Sequence, residues 1–89
     1  MVKLKDGAEV DLELFKFDAC PFCRRVQQAI ERLGVEGIRY RDTMKEAGAN
    51  EELVRRGGMR QVPCLFIDGR AMYESAEIVR WLEEHVAAG

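Results

Sequence analysis

Four residues, Cys20-Pro21-Phe22-Cys23, constrain this chain more than any other stretch. Ahead of them runs an alternating apolar segment, Leu12, Leu14, Phe15 and Phe17. After them Val26, Ala29, Ile30 and Leu33 recur at the spacing of one helix face. The two cysteines therefore stand where a strand feeds a helix. Cys20 falls at the N-cap and Pro21 at the first helical position, where a missing N–H costs nothing and φ is already helical. Free N–H groups of the first turn then point at the Cys20 sulfur, and the helix dipole favours negative charge there. Both favour a thiolate, the nucleophile of disulfide exchange. Cys23 lies within the same turn, close enough to close a small ring with Cys20. A Cys-x-x-Cys between strand and helix reads as a redox dithiol.

The rest of the chain supplies one small fold around this junction. Eighty-nine residues make a single domain, 1–89, with one core. Residues 1–10 carry an Asp6-Gly7 turn signal and allow either a short hairpin of Val2 and Leu4 against Val10 and Leu12 or a loose extension. A strand is expected over 11–17 and a helix over 20–33, with Gly34 at its C′ position. A second strand follows over 37–41. A second helix over 46–56 has a weak apolar face, and Gly48 and Asn50 allow a break in it. The apolar run Cys64-Leu65-Phe66-Ile67 suits a central strand covered on both sides. Asp68-Gly69 forms a hairpin turn into a strand over 71–73. Ser75 is a natural N-cap for a last helix whose Ile78, Val79, Leu82 and Val86 form one face. The expected fold class is α/β, a four-stranded mixed sheet with three helices in the order β-α-β-α-β-β-α, with a possible extra N-terminal strand. Its first βαβ unit is a right-handed crossover.

Charge and composition exclude several functions. A formal net charge of −2 gives no electrostatic reason for nucleic acid or anionic membrane as a partner. No apolar run approaches the ~18 residues of a membrane span. The opening Met1-Val-Lys-Leu-Lys-Asp lacks the apolar segment of a signal peptide. Three cysteines, an odd number, argue for a reducing, cytoplasmic setting over a secreted disulfide framework.

Cys20-Pro-Phe-Cys23, Gln61-Val62-Pro63, Asp68-Gly69 and Glu74-Ser75 leading into a helix with Ile78 resemble, in this order, a glutaredoxin. More broadly they are similar to the thioredoxin-like domain that begins glutathione transferases. The resemblance covers roughly 11–86. It implies a thioredoxin-like fold, a redox-active Cys20–Cys23 disulfide, glutathione as co-substrate with no bound cofactor or metal, and a monomer serving cell redox homeostasis and electron transport. Two features depart from glutaredoxins. The basic residue often found three positions before the first cysteine is replaced by Phe17, with Lys16 one further back. Glu74-Ser75 follows the transferase pattern rather than Gly-Gly. The helical second domain of a transferase has no counterpart in these residues.

The resemblance also distributes roles. Cys20 forms the mixed disulfide with glutathione and Cys23 resolves it. Val62-Pro63 corresponds to the family's cis-proline, which frees the Val62 N–H and C=O to pair with the cysteinyl part of an extended ligand. Ser75 and the helix start receive the γ-glutamyl carboxylate, and Glu74 its ammonium. Lys16, Gln61 and Arg60 are candidates for the glycyl carboxylate. Phe22 packs on the ligand or is an ordinary core aromatic. Arg24 and Arg25 raise local positive potential or form an exposed helix face. Cys64 reads as a small buried hydrophobe, or as a regulatory third thiol.

The residue types admit other classes as well. Cys20, Cys23, Cys64 and His85 supply the donors of a Cys3His zinc site, but there is no second close pair, and His85 suits a helix C-terminus. Trp81 flanks the apolar face as packing. A thioredoxin-like electron donor reduced by a flavoprotein reductase would use Cys20 and Cys23 but not Glu74 or Ser75. A glutathione-ligated iron–sulfur scaffold is disfavoured by the presence of Pro21 and Cys23. The expected function is a glutathione-dependent thiol–disulfide oxidoreductase acting on protein disulfides and protein–glutathione mixed disulfides.

Overall fold

Alternation along Leu12–Lys16 places apolar side chains on both faces of one strand, and the rest of the fold covers those two faces. The structure is a computed structural model describing residues 1–87; Ala88 and Gly89, part of the expected domain, lie outside the described residues. Its elements are β1 (Val2–Lys3), β2 (Glu9–Val10), β3 (Leu12–Lys16), α1 (Pro21–Leu33), β4 (Arg39–Asp42), α2 (Ala49–Gly57), β5 (Cys64–Ile67), β6 (Arg70–Met72) and α3 (Ser75–His85). The main sheet has the order β4-β3-β5-β6. β4 runs parallel to β3, while β5 and β6 each run antiparallel to their neighbour. Three helices on a mixed four-stranded sheet are the expected thioredoxin-like architecture.

The two faces have separate cores. Leu12, Leu14 and Leu65 meet Val26 and Ile30 of α1 and Ile78 and Leu82 of α3. On the other face Phe15, Cys64 and Phe66 meet Ala49 and Leu53 of α2, with the Phe15 and Phe66 rings edge-on at 5.4 Å. Trp81 packs partly buried on the first core. Burial of both sides explains why β5 reads as a continuous apolar run.

The N-terminal residues form the hairpin rather than the loose extension. Val2 pairs with Val10 in a separate two-stranded sheet, and both side chains are buried. The hairpin also closes on the end of α3: the Lys5 N–H donates to the His85 carbonyl at 2.8 Å, and Lys5 Nζ to that of Glu83 at 2.7 Å. Asp68 and Gly69 both have positive φ, 48° and 87°, as a tight two-residue hairpin turn requires.

Five expectations differ from the structure. α2 begins at Ala49, not 46, because the Asp42 carboxylate takes the N–H groups of Met44 and Lys45 and Gly48 turns the chain left-handed at φ 83°. β4 begins at Arg39, not 37, because Gly37 sits at φ 95°, outside extended geometry. The last strand ends at Met72, and β3 is a residue shorter at each end than expected. Ser75 is not the N-cap of α3: Glu74 occupies that position at φ 55°, and no side chain caps the helix. The positive φ at Glu74 turns the chain sharply out of β6, so that Ser75 is already helical.

The sequence also gave no warning of a buried charge. Glu13 is 1% exposed, on the α2 face of β3. Its carboxylate lies 2.8 Å from Arg41 and 2.9 Å from Arg56. Arg41 and Arg56 both continue to Glu52, and the Arg56 guanidinium lies 4.2 Å from the Phe66 ring centre. No helix among the described residues is long and apolar enough to cross a membrane.

Candidate functional site

The N-cap geometry at the dithiol is as the spacing predicts. Cys20 is extended (φ −74°, ψ 117°), Pro21 opens α1, and the Cys23 N–H donates to Cys20 Sγ at 3.3 Å. The Arg24 N–H donates to the Cys20 carbonyl at 3.0 Å. A sulfur is thus the capping atom of a 13-residue helix. All three cysteines are free thiols. Cys20 keeps 5% exposure, whereas Cys23 and Cys64 have none.

Burial, and then the adjacent Cys20 sulfur, push the Cys23 thiol well above the ordinary range. Burial pushes Cys64 up to about 11. Cys64 faces α2 with Phe15 and Phe66, as the small buried hydrophobe expected. At pH 8 a group with that pKa is thiolate in only about one molecule in a thousand. Native protein should therefore yield one fast-reacting thiol, Cys20, to iodoacetamide, and three after unfolding. Two fast thiols in the native state would contradict these environments. The same shifts set an alkaline limit. A folded-state thiol pKa above the unfolded value of 9.0 gives stability that is complete below pH 9 and is lost as pH rises toward 11.

Beside the dithiol lies a groove of about 470 Å³, walled by Phe22 and Arg25 of α1, by Gln61, Val62 and Pro63 before β5, and by Glu74, Ser75 and Ala76 at the start of α3. Six of the residues expected to meet glutathione are therefore on one surface. Phe22 is 59% exposed, so it is not a core aromatic. The Val62–Pro63 bond is cis, and Val62 has no backbone hydrogen bond among the described residues. Ser75 is 8% exposed, and its hydroxyl bonds to no described residue.

Other expected residues stand apart. Lys16 lies outside the groove lining: its ammonium is held by Asp18 at 2.8 Å and Asp42 at 3.6 Å. The bond to Asp18 raises the Lys16 pKa; Lys16 and Lys45 together hold Asp18 down to about 2. Arg60 lines a second hollow with Arg55 and Val54. His85 ends α3 against Trp81, ring centres 5.1 Å apart. Among the described residues no group of three or more His, Cys, Asp or Glu is placed to hold a metal ion.

Sequence reasoning missed the group that anchors the groove's loop. The Tyr73 hydroxyl donates to the Met59 carbonyl at 3.0 Å and accepts the Met59 N–H at 3.2 Å. This fastens the segment before Gln61 to the end of β6. Gly57 is required beneath it, since a Cβ there would overlap the Tyr73 hydroxyl. The adjacent glycines Gly57-Gly58 are the one sequence feature that allows so close an approach.

The fold and the dithiol at its helix start define a thioredoxin-like domain. The chain belongs to the glutathione S-transferase N-terminal domain family, whose profile matches residues 14–88. A probable glutaredoxin of Synechocystis sp. is 27% identical over 67 residues, 75% of this chain and 62% of that protein. The chain thus spans less than two thirds of that relative. Among solved structures, the Omega 3C glutathione transferase of Trametes versicolor is similar with a TM-score of 0.70 and 26% identity, over 85% of this chain and 34% of that one. Glutaredoxin C1 of Populus tremula x tremuloides, in its holo form, shares the fold with a TM-score of 0.63 and 20% identity, over 81% and 72%.

Proposed function

We propose that this domain is a glutathione-dependent thiol–disulfide oxidoreductase, with Cys20 as nucleophile and Cys23 as resolving thiol. The observation that carries the reading is the juxtaposition of a sulfur-capped helix with a groove of unpaired peptide and hydroxyl groups. Glutathione is an extended tripeptide with a carboxylate at each end. The unpaired Val62 N–H and C=O suit its cysteinyl backbone. The N–H groups opening α3 and the Ser75 hydroxyl suit the γ-glutamyl carboxylate, and Glu74 its ammonium. Phe22 and Pro63 supply apolar walls, and Gln61 reaches toward the glycyl end. Lys16 takes part only by exchanging Asp18 for a ligand carboxylate. Relatives described as glutathione transferases and a glutaredoxin support glutathione as the small partner.

In the first step the Cys20 thiolate attacks the glutathione sulfur of a protein–glutathione disulfide. That S–S bond breaks, the protein thiolate leaves and takes a proton, and a Cys20–glutathione disulfide forms. A second glutathione thiolate attacks this disulfide, releasing oxidised glutathione and the Cys20 thiolate. On balance the protein sulfur is reduced to a thiol, and one glutathione thiol is oxidised as it joins the transferred unit in oxidised glutathione. With a protein disulfide, Cys23 displaces the protein from Cys20, and two glutathione molecules reduce the resulting Cys20–Cys23 bond. Such chemistry belongs in a reducing compartment, and the domain carries it out as a monomer.

The test is turnover of a small glutathione mixed disulfide with glutathione, glutathione reductase and NADPH. Inactivity there, with reduction of the oxidised dithiol by a thioredoxin reductase instead, would overturn the glutathione reading. Ser75→Ala probes the groove separately. Because the hydroxyl caps nothing in the fold, stability should change by less than about 0.5 kcal/mol, while KM for glutathione rises about fivefold, the loss of roughly one hydrogen bond. An unchanged KM would remove Ser75 from the site.

A further inference from the structure

The basic side chains of this acidic chain are unequally occupied. Those around Glu13, Asp18 and Asp11 are tied into ion pairs within the protein. Arg24, Arg25, Arg55 and Arg60 are not, and neither are Lys3, Lys5 and Arg70 elsewhere: the four arginines are exposed, and none has an acidic partner within 4.0 Å among the described residues. The four arginines are grouped by the hollows they line. Arg25 stands on the groove wall. Arg24 and Arg25 line an adjoining hollow with Pro21 and Gln28. Arg60 directly precedes Gln61 of the groove wall and shares a further hollow with Arg55. The carboxylates on these walls are Glu74 in the groove and Glu51 beside Arg55. Four guanidinium groups without an ion-pair partner thus stand on the groove or on hollows linked to it through Arg25 and Arg60, in a molecule whose formal net charge is −2.

Glutathione fills the groove without needing Arg24 or Arg55, which lie outside its lining. Guanidinium groups bind carboxylates through paired, planar hydrogen bonds. A ring of them around a reactive thiol raises the local concentration of negatively charged partners and speeds their encounter. We propose that this arginine rim docks the acidic flank of a substrate polypeptide, so that its disulfide or glutathionylated cysteine is delivered to Cys20. This names a substrate class for the redox reading given above and rests on it.

Two measurements on the full chain separate the docking from the chemistry. Fluorescent peptides without cysteine, one acidic and one basic but matched in length, are titrated by anisotropy at low and high salt. The acidic peptide should bind at least about tenfold more tightly at low salt, lose that preference at high salt, and lose it also with the double change Arg24→Glu and Arg55→Glu. Equal binding of the two peptides, indifference to the double change, or tighter binding of a single-stranded oligonucleotide than of the acidic peptide would overturn the proposal. In parallel, the small mixed disulfide of glutathione and 2-mercaptoethanol is assayed for turnover. Wild type and double variant should agree within about twofold, because this substrate has no polypeptide flank to reach the rim. A double variant that loses this turnover would assign the arginines to glutathione and overturn the docking proposal. A wild type inactive on it would overturn the redox reading, and with it the delivery step, whatever the peptides do.

Discussion

Cys20→Ser should abolish turnover of a glutathione mixed disulfide, by at least about 10³-fold, while Cys23→Ser keeps a rate within about tenfold of wild type. The asymmetry follows from where the two sulfurs sit. Cys20 Sγ is the capping atom of α1 and the only cysteine with any exposure. Serine there retains the cap but has no nucleophile for an S–S bond. Cys23 is fully buried, and burial with the adjacent Cys20 sulfur keeps its thiol protonated. What Cys23 gives Cys20 is a backbone N–H at 3.3 Å, and Cys23→Ser leaves that donor in place. Glutathione can regenerate Cys20 from the mixed disulfide without a second thiol. Reduction of a protein disulfide cannot be completed that way, because the Cys20–protein disulfide then has no internal resolver. Cys23→Ser should therefore accumulate that species, visible by mass spectrometry, at low glutathione. Equal inactivation of both variants on the small substrate would show that the dithiol acts only as a pair. Retained activity in Cys20→Ser would remove the assigned nucleophile altogether.

The parts of the fold that follow from neighbouring residues were legible in the chain. Pro21 and Gly34 bound α1 where its apolar face begins and ends, and Asp68-Gly69 turns β5 into β6 because both residues tolerate positive φ. The expected groove residues also converged, since Phe22, Gln61, Val62, Pro63, Glu74 and Ser75 line one surface. What the chain concealed depends on partners distant in sequence. Glu13 alternates with Leu12 and Leu14 and so reads as a solvated position; α2 covers it, and β4, in parallel register, sets Arg39 opposite it. Lys16 reads as a free cation until the parallel pairing of β3 with β4 sets Asp42 opposite it. Ser75 has the chemistry of an N-cap, but the backbone reversal at Glu74 moves it one position into the helix. Tyr73 looks like a strand residue, and its role comes only from the loop that its hydroxyl holds.

Glu13→Gln should lower stability by about 3 kcal/mol, near the bottom of the range for breaking a buried ion pair. For a domain of this size that corresponds to a fall in Tm of roughly 12–24 °C. Glutamine has nearly the shape of glutamate, so packing loss is small, and the cost is electrostatic. Arg41 at 2.8 Å and Arg56 at 2.9 Å lose the carboxylate that balances them beside Phe15 and Phe66. The loss stays near the lower bound because Arg41 keeps Glu46 and Glu52, and Arg56 keeps Glu52. It should persist at high salt, since a carboxylate with 2% side-chain exposure is poorly screened. The acid limb provides a second check. Arg41 and then Arg56 hold the Glu52 carboxyl down to about 2, against 4.5 when unpaired. A depressed folded-state pKa contributes stability above pH 4.5, and that contribution is lost as pH falls toward 2. Wild type should therefore weaken over that interval, and Glu52→Gln should weaken less steeply. Because the network lies under α2 and away from the dithiol, Glu13→Gln should raise amide exchange in α2 first and leave Cys20 turnover intact at temperatures where the variant is folded. A stability change under about 0.5 kcal/mol in urea unfolding would mean that water or rearranged arginines compensate the missing charge, and that the buried glutamate does not hold α2 to the sheet.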